Sequence, residues 1–205
     1  MTELFLSAFI TLFVVIDPPG CAPIYASLTR DASAAQRRNM AIRAVVVAAL
    51  ILAVFSIFGE QLLGALSISL DSFRIAGGIM LFMIALEMVF EKRTQRREDR
   101  AQEIIDHPEI EDVSIFPMAM PMIAGPGSIA AIMLLMARSD DMESRLVIVG
   151  ALGLVLLLTL TGLLLAGPLM RVLGGNVEAV VTRLLGVLLG ALAVQFVVDG
   201  LRGSF

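Results

Sequence analysis

The chain has 205 residues, 58% hydrophobic, 6% aromatic and 17% charged, with a mean hydropathy of +0.91, which excludes an ordinary soluble domain of this length. Its single cysteine, Cys21, excludes a disulfide framework and a cysteine metal site, and its one histidine, His107, lies in the most polar stretch as a loop residue. The net charge of -4 gives no sign of a nucleic-acid partner, because the charges are gathered between apolar runs.

Those runs set the class. "IRAVVVAALILAVFSIF" has one charge in 17 residues and "LVIVGALGLVLLLTLTGLLLAGPLM" none in 25. A hydrocarbon layer of about 30 Å needs about 20 such residues as helix. In chain order, the predicted spans are residues 4–28, 40–61, 72–91, 114–137, 145–169 and 178–199. The opening "MTELFLSAF" has neither a basic n-region nor a small-residue cleavage site, so it reads as the start of a retained helix. The expected fold is an all-α polytopic membrane domain over 1–205. It comprises a first three-helix unit (1–91), a charged cytoplasmic connecting loop (92–113) and a second three-helix unit (114–205).

Basic residues orient the spans. With the N-terminus outside, the inner loops carry Arg30, Arg37, Arg38, Arg43, Lys92, Arg93, Arg96, Arg97, Arg100, Arg171 and Arg183, against Arg74, Arg138, Arg145 and Arg202 on the other side. This 11 to 4 split predicts that both termini face away from the cytoplasm. The basic start of the connecting loop suits anionic lipid head groups.

The two units repeat each other in order. "IDPPGCAPIYASLTR" aligns with "IAGPGSIAAIMLLMAR", Pro19-Gly20 meeting Pro126-Gly127 at an offset of 107. "RIAGGIMLFMIALEMV" aligns with "RLLGVLLGALAVQFVV", Arg74 meeting Arg183 and Gly77 meeting Gly186 at 109. An odd number of spans per unit makes the second run through the membrane opposite to the first, the inverted-repeat plan of many secondary transporters. Gly77, Gly78, Gly186 and Gly190 read as close-packing positions.

Each unit carries a disturbance in its first span. Pro18 and Pro19 remove backbone donors, and "PMAMPMIAGPGS" places Pro117, Pro121, Gly125, Pro126 and Gly127 at the matching point. Breaks at these Pro-Gly motifs in helices 1 and 4 free backbone groups, which hydrocarbon tolerates only where protein, water or a ligand completes the bonding. The predicted binding site is therefore Asp17, Pro18, Gly20 and Cys21 facing Gly125, Pro126, Gly127 and Ser128. Helix N-termini there suit a carboxylate and free carbonyls suit an ammonium or cation, so a small zwitterionic solute fits.

Asp17 has three roles open to it: contact with a ligand or coupling ion, a proton included; capping of the second half-helix; or a structural hydrogen bond. Glu87 and Gln195 are secondary polar candidates. Met118, Met120 and Met122 cluster without histidine or cysteine, so no metal route is expected. The spans offer no nucleophile–base pair, and the chain has no Walker-type loop. Neither an enzyme nor a nucleotide or other cofactor is expected, and no sequence feature sets an oligomeric state.

With "IDPPGCAPIYASLT" in helix 1 and "FPMAMPMIAGPGSIAAIMLL" in helix 4, the whole chain resembles the MarC family of bacterial and archaeal integral membrane proteins. The family pattern of Asn or Asp, Pro, any residue and Gly falls on Asp17, Pro18 and Gly20. The proline that follows in the family pattern is displaced by one residue here, to Pro23. Many members carry Asn at the position of Asp17. The resemblance implies an inverted-repeat fold related to amino acid exporters, in the cytoplasmic membrane. For some members it implies transport of glycine, alanine and similar neutral amino acids. Efflux of another small metabolite or drug, and a non-transporting structural role, are the rival functions.

Overall fold

The structure is a computed structural model that describes residues 1–90, 92–105, 112–139 and 141–204; His107 and Glu91 lie outside the described residues. Among the described residues it is all helix. Helix α1 (Thr2–Ile16) is followed across Asp17 by α2 (Pro18–Leu28), then α3 (Ala34–Ala65) and α4 (Leu70–Val89). Helix α5 (Lys92–Ile105) precedes a kinked helical segment (Ser114–Ile123), and α6 (Pro126–Met136), α7 (Met142–Leu164) and α8 (Ala166–Ser204) complete the chain.

Five helical stretches are long and apolar enough to cross a membrane, and the kinked segment with α6 makes a sixth if that bent pair is one span. The protein is an integral membrane protein in its physical character. Two boundaries differ from expectation. Residues 92–105 of the supposed connecting loop form α5, and α8 runs for 39 residues through the gap predicted between the fifth and sixth spans. Residues 174–176, "GGN", fall inside this helix, since glycine only lowers helix propensity by about 1 kcal/mol against alanine and does not forbid a helix.

Local signals set the other helix starts. Ser33 and Gln36 form a capping box at α3, Ser69 accepts from the Ser72 amide at α4, and Asp141 accepts from the Ser144 amide at α7. Small residues then let the helices approach. On α3, Ala41, Ala44 and Ala48 are fully buried, while Val46, Leu50, Val54 and Phe58 on the opposite side are exposed. Helices α4, α7 and α8 likewise carry exposed Met83, Leu157 and Val187, an outward apolar surface that only an apolar solvent would cover.

The principal packing pairs come in matched sets. Helix α4 lies along α8, and α3 contacts α7. Helix α1 packs on α7 as the kinked segment packs on α3, α2 on α7 as α6 on α3, and α2 on α8 as α6 on α4. At Gly78 a Cβ would stand 2.8 Å from the Ala193 carbonyl oxygen and 2.7 Å from Val197, so α4 and α8 touch backbone to backbone there. Gly150 on α7 has nothing within 4 Å of that position. Gly78→Val is expected to cost about 1–3 kcal/mol and Gly150→Ala nothing, both measured by unfolding in detergent. Equal loss in the two would show that the α4–α8 approach is not tight.

Candidate functional site

The first span is interrupted at one residue. The Asp17 amide closes α1 by donating to the Phe13 carbonyl at 2.9 Å, and Asp17 itself takes φ 58° and ψ 64°. A left-handed conformation is uncommon for a residue with a side chain, and Asp and Asn are among those that adopt it most readily. Helix α2 then begins with Pro18 and Pro19, which have no amide proton to leave unpaired. The next amide, Gly20, donates to Asp17 Oδ1 at 3.2 Å, and the Cys21 amide donates to the Asp17 carbonyl at 3.1 Å. Asp17 thus performs the capping role. A Cβ on Gly20 would stand 2.3 Å from Asp17 Oδ2, so only glycine leaves room for the carboxylate.

The carboxylate has a second partner that the sequence analysis did not single out. Arg97 of α5 reaches in to place Nη1 2.9 Å from Asp17 Oδ2, with the side chains 11% and 2% exposed. Helix α5 packs against α2 and α4, and Ala101, one turn beyond Arg97, is buried on the same face. That alanine among charges was the available signal for an inward-facing side of α5. The need of a buried Asp17 for a counter-charge was the other.

The second interruption is built similarly without an acid. The kinked segment contains Pro117 and Pro121 and meets α6 at a bend of 51°. Gly125 precedes α6 and provides no side-chain cap, while Pro126 takes the first helical position. Ser128 Oγ donates to the Ile123 carbonyl at 2.7 Å, as Cys21 Sγ donates to the Ile16 carbonyl at 3.5 Å. Both bonds span five residues across the interruption and use a carbonyl that the ending helix leaves open.

The interruptions lie close together. A Cβ on Gly127 would meet Val15 at 3.3 Å and Ile84 at 2.4 Å, which brings the second within touch of the end of α1. Gly125, Pro126, Gly127 and Ser128 line a cleft of about 380 Å³ whose other walls are Val15, Met80, Met83, Ile84, Pro121 and Met122. Arg97, Arg96 and Glu87 complete it, and Glu87 Oε1 pairs with Arg96 Nη2 at 2.7 Å. Asp17, Pro18, Gly20 and Cys21 do not line the cleft, and Arg97 joins Asp17 to it. Gln195 lies elsewhere: its amide donates to Asp199 at 2.7 Å, Asp199 pairs with Arg138, and the Arg138 guanidinium sits 4.3 Å from the Phe196 ring centre.

Comparison with known proteins places the chain. Residues 2–205 match the family described as MarC family integral membrane protein. A UPF0056 membrane protein of Methanocaldococcus jannaschii is 37% identical over 202 residues, covering 98% of each chain. UPF0056 membrane protein YvbG of Bacillus subtilis is 32% identical, covering 100% of this chain and 97% of its own, and UPF0056 membrane protein YhcE of Escherichia coli is 34% identical, covering 96% and 91%. The chain belongs to the MarC family. No solved structure matches it.

Removing Arg97 leaves the Asp17 carboxylate buried without a counter-charge. Arg97→Ala is expected to cost about 3–5 kcal/mol in the native background and clearly less in an Asp17→Asn background, where the side-chain cap survives. Unfolding of the four proteins of this cycle in detergent measures the coupling. A cost for Arg97→Ala that is the same in both backgrounds would rule out the ion pair as the reason α5 docks.

Proposed function

We propose that the protein is a secondary transporter of small neutral amino acids such as glycine or alanine. It would work by alternating access between two inverted three-helix repeats. The observation that carries this reading is the cleft at the two interruptions, where charges of both signs surround an apolar pocket. Arg96 and Arg97 supply two positive charges, Glu87 and Asp17 two negative ones, and their sum is zero, which matches a solute with one carboxylate and one ammonium. The Gly127 and Ser128 amides at the start of α6 receive no side-chain cap from Gly125 and suit the carboxylate. Glu87 suits the ammonium. Met80, Met83 and Ile84 give the solute's side chain an apolar wall.

The repeat reading draws on the matched packing pairs and on the equivalent Cys21 and Ser128 bonds. It also accounts for Gln195. A position aligned with the Glu87 region falls at the opposite membrane face in an inverted unit, so Gln195 belongs with Arg138 and Asp199. With the positive-inside orientation, the cleft's exposed Arg96 faces the cytoplasm, and both termini lie outside the bacterial or archaeal cytoplasmic membrane. Asp17 is the group through which a proton would couple.

The test is uptake and counterflow in proteoliposomes with a panel of small neutral amino acids, with and without a pH gradient. Glycine or alanine counterflow is expected, reduced at least tenfold by Gly127→Val, whose side chain would enter the contact between Val15 and Ile84. Absence of counterflow with every amino acid would sink the reading, and counterflow confined to unrelated metabolites would favour efflux of those instead. Asp17→Asn separates coupling from capping. It is expected to keep transport but lose its response to the pH gradient, and an unchanged response would remove the proton from Asp17.

A further inference from the structure

A second cavity, of about 200 Å³, lies away from the cleft at the membrane end where α2 finishes, α3 begins and α7 passes to α8. It is lined by Arg37 and Arg38 of α3, Leu163 and Leu164 at the end of α7, and Tyr25 and Thr29 at the end of α2. The Tyr25 hydroxyl donates to the Arg37 carbonyl, and Thr29 Oγ1 donates to the Tyr25 carbonyl at 2.7 Å. The first bond ties the start of α3 to α2 beside the cavity, and the second closes the end of α2.

Both arginines are exposed and, like Arg30 and Arg202 among the described residues, have no carboxylate partner; unlike those two, they line this cavity. Among the described residues, Arg43, Arg74, Arg96, Arg97, Arg138 and Arg145 all have carboxylate partners. Arg37 and Arg38 have none, and Asp31 in the adjoining turn pairs with neither. Two guanidinium groups offer a fork of donors that matches phosphate oxygens. Leu163 and Leu164 are apolar, and Leu164 is 44% exposed. Cationic residues next to apolar ones at the end of the spanning helices give the arrangement of a head group above its acyl chains.

We propose that this cavity binds the phosphate of an anionic membrane lipid. Arg37 and Arg38 hold the phosphate oxygens, and the acyl chains run down past Leu163 and Leu164. The bound lipid joins the start of α3 to the turn between α7 and α8, and so links the two halves of the chain. The site is independent of the transport reading.

The full chain in detergent is titrated with phosphatidylglycerol, with phosphatidylcholine and with inorganic phosphate. Binding is counted by native mass spectrometry. Melting is followed with a thiol-reactive dye, for which buried Cys21 is the sole target. Phosphatidylglycerol is expected to bind on the order of tenfold more tightly than phosphatidylcholine and to raise the melting temperature. The double variant Arg37→Ala/Arg38→Ala should bind both lipids alike, and Arg43→Ala, at the same membrane end but outside the cavity, should keep the preference. A preference surviving in the double variant overturns the site. So does equal loss in Arg43→Ala, which would mean diffuse surface charge, or equal stabilisation by inorganic phosphate, which would mean a free anion rather than a lipid. Should the alanine pair fail to fold, Arg37→Gln/Arg38→Gln keeps the side-chain stems and decides the same comparison.

Discussion

A helix interrupted among apolar side chains must find partners for the backbone groups it frees, and the interruption at Asp17 governs much of the rest of this structure. Its solution has three parts. Pro18 and Pro19 delete two of the donors that would otherwise be unpaired, Asp17 accepts the third from Gly20, and the Ile16 carbonyl takes the Cys21 thiol. This arrangement buries a carboxylate, and the carboxylate in turn requires Arg97. A helix as polar as α5 is drawn against α2 and α4 because one of its arginines has a buried partner.

The second interruption faces the same requirement and meets it without a charge. Ala124 stands where the repeat aligns Asp17, and Gly125 cannot cap α6. Ser128 repeats the bond of Cys21 to the ending helix, but the amides at the head of α6 are left toward the cleft. One interruption is therefore sealed by its own chain and the other is open. That difference, rather than the presence of prolines, determines which half-helix lines the cavity. It also explains why the residues of the first motif sit behind Arg97 instead of in the cleft.

Much of the fold was legible because it depends on local rules. Long apolar runs mark spans, and Ser33, Ser69 and Asp141 cap helices just where their side chains can reach back. Gly125, Pro126, Gly127 and Ser128 line the cleft at a break legible from its prolines, with glycines where a Cβ would collide with Pro121 or Ile84. Arg97 was hidden because its carboxylate partner lies 80 positions earlier, and the lone local sign of an inward face of α5 is Ala101. Gln195 misled for a related reason. A match in sequence to the region of Glu87 does not say which neighbours the residue meets, and Gln195 bonds Asp199 away from the cleft. The early start of α8 at Ala166 was not legible, because a helix can continue through less apolar residues beyond the part that spans.

The interchange of Asp and Asn that the family resemblance implies at position 17 divides the functions of this residue. Either side chain tolerates the left-handed backbone, and either can accept the Gly20 amide, so the break itself does not need a charge. Only the carboxylate neutralises Arg97. With Asn at this position and the arginine kept, Arg97, which lines the cleft, would lose its buried counter-charge. Charge at position 17 and charge on the inward face of α5 are therefore expected to be tied together. The capping geometry, which both residues satisfy, leaves the backbone of the break the same in either case. In this chain the acid at the break is balanced by Arg97 of α5, so beyond its cap Asp17 supplies the counter-charge of an arginine that lines the cleft.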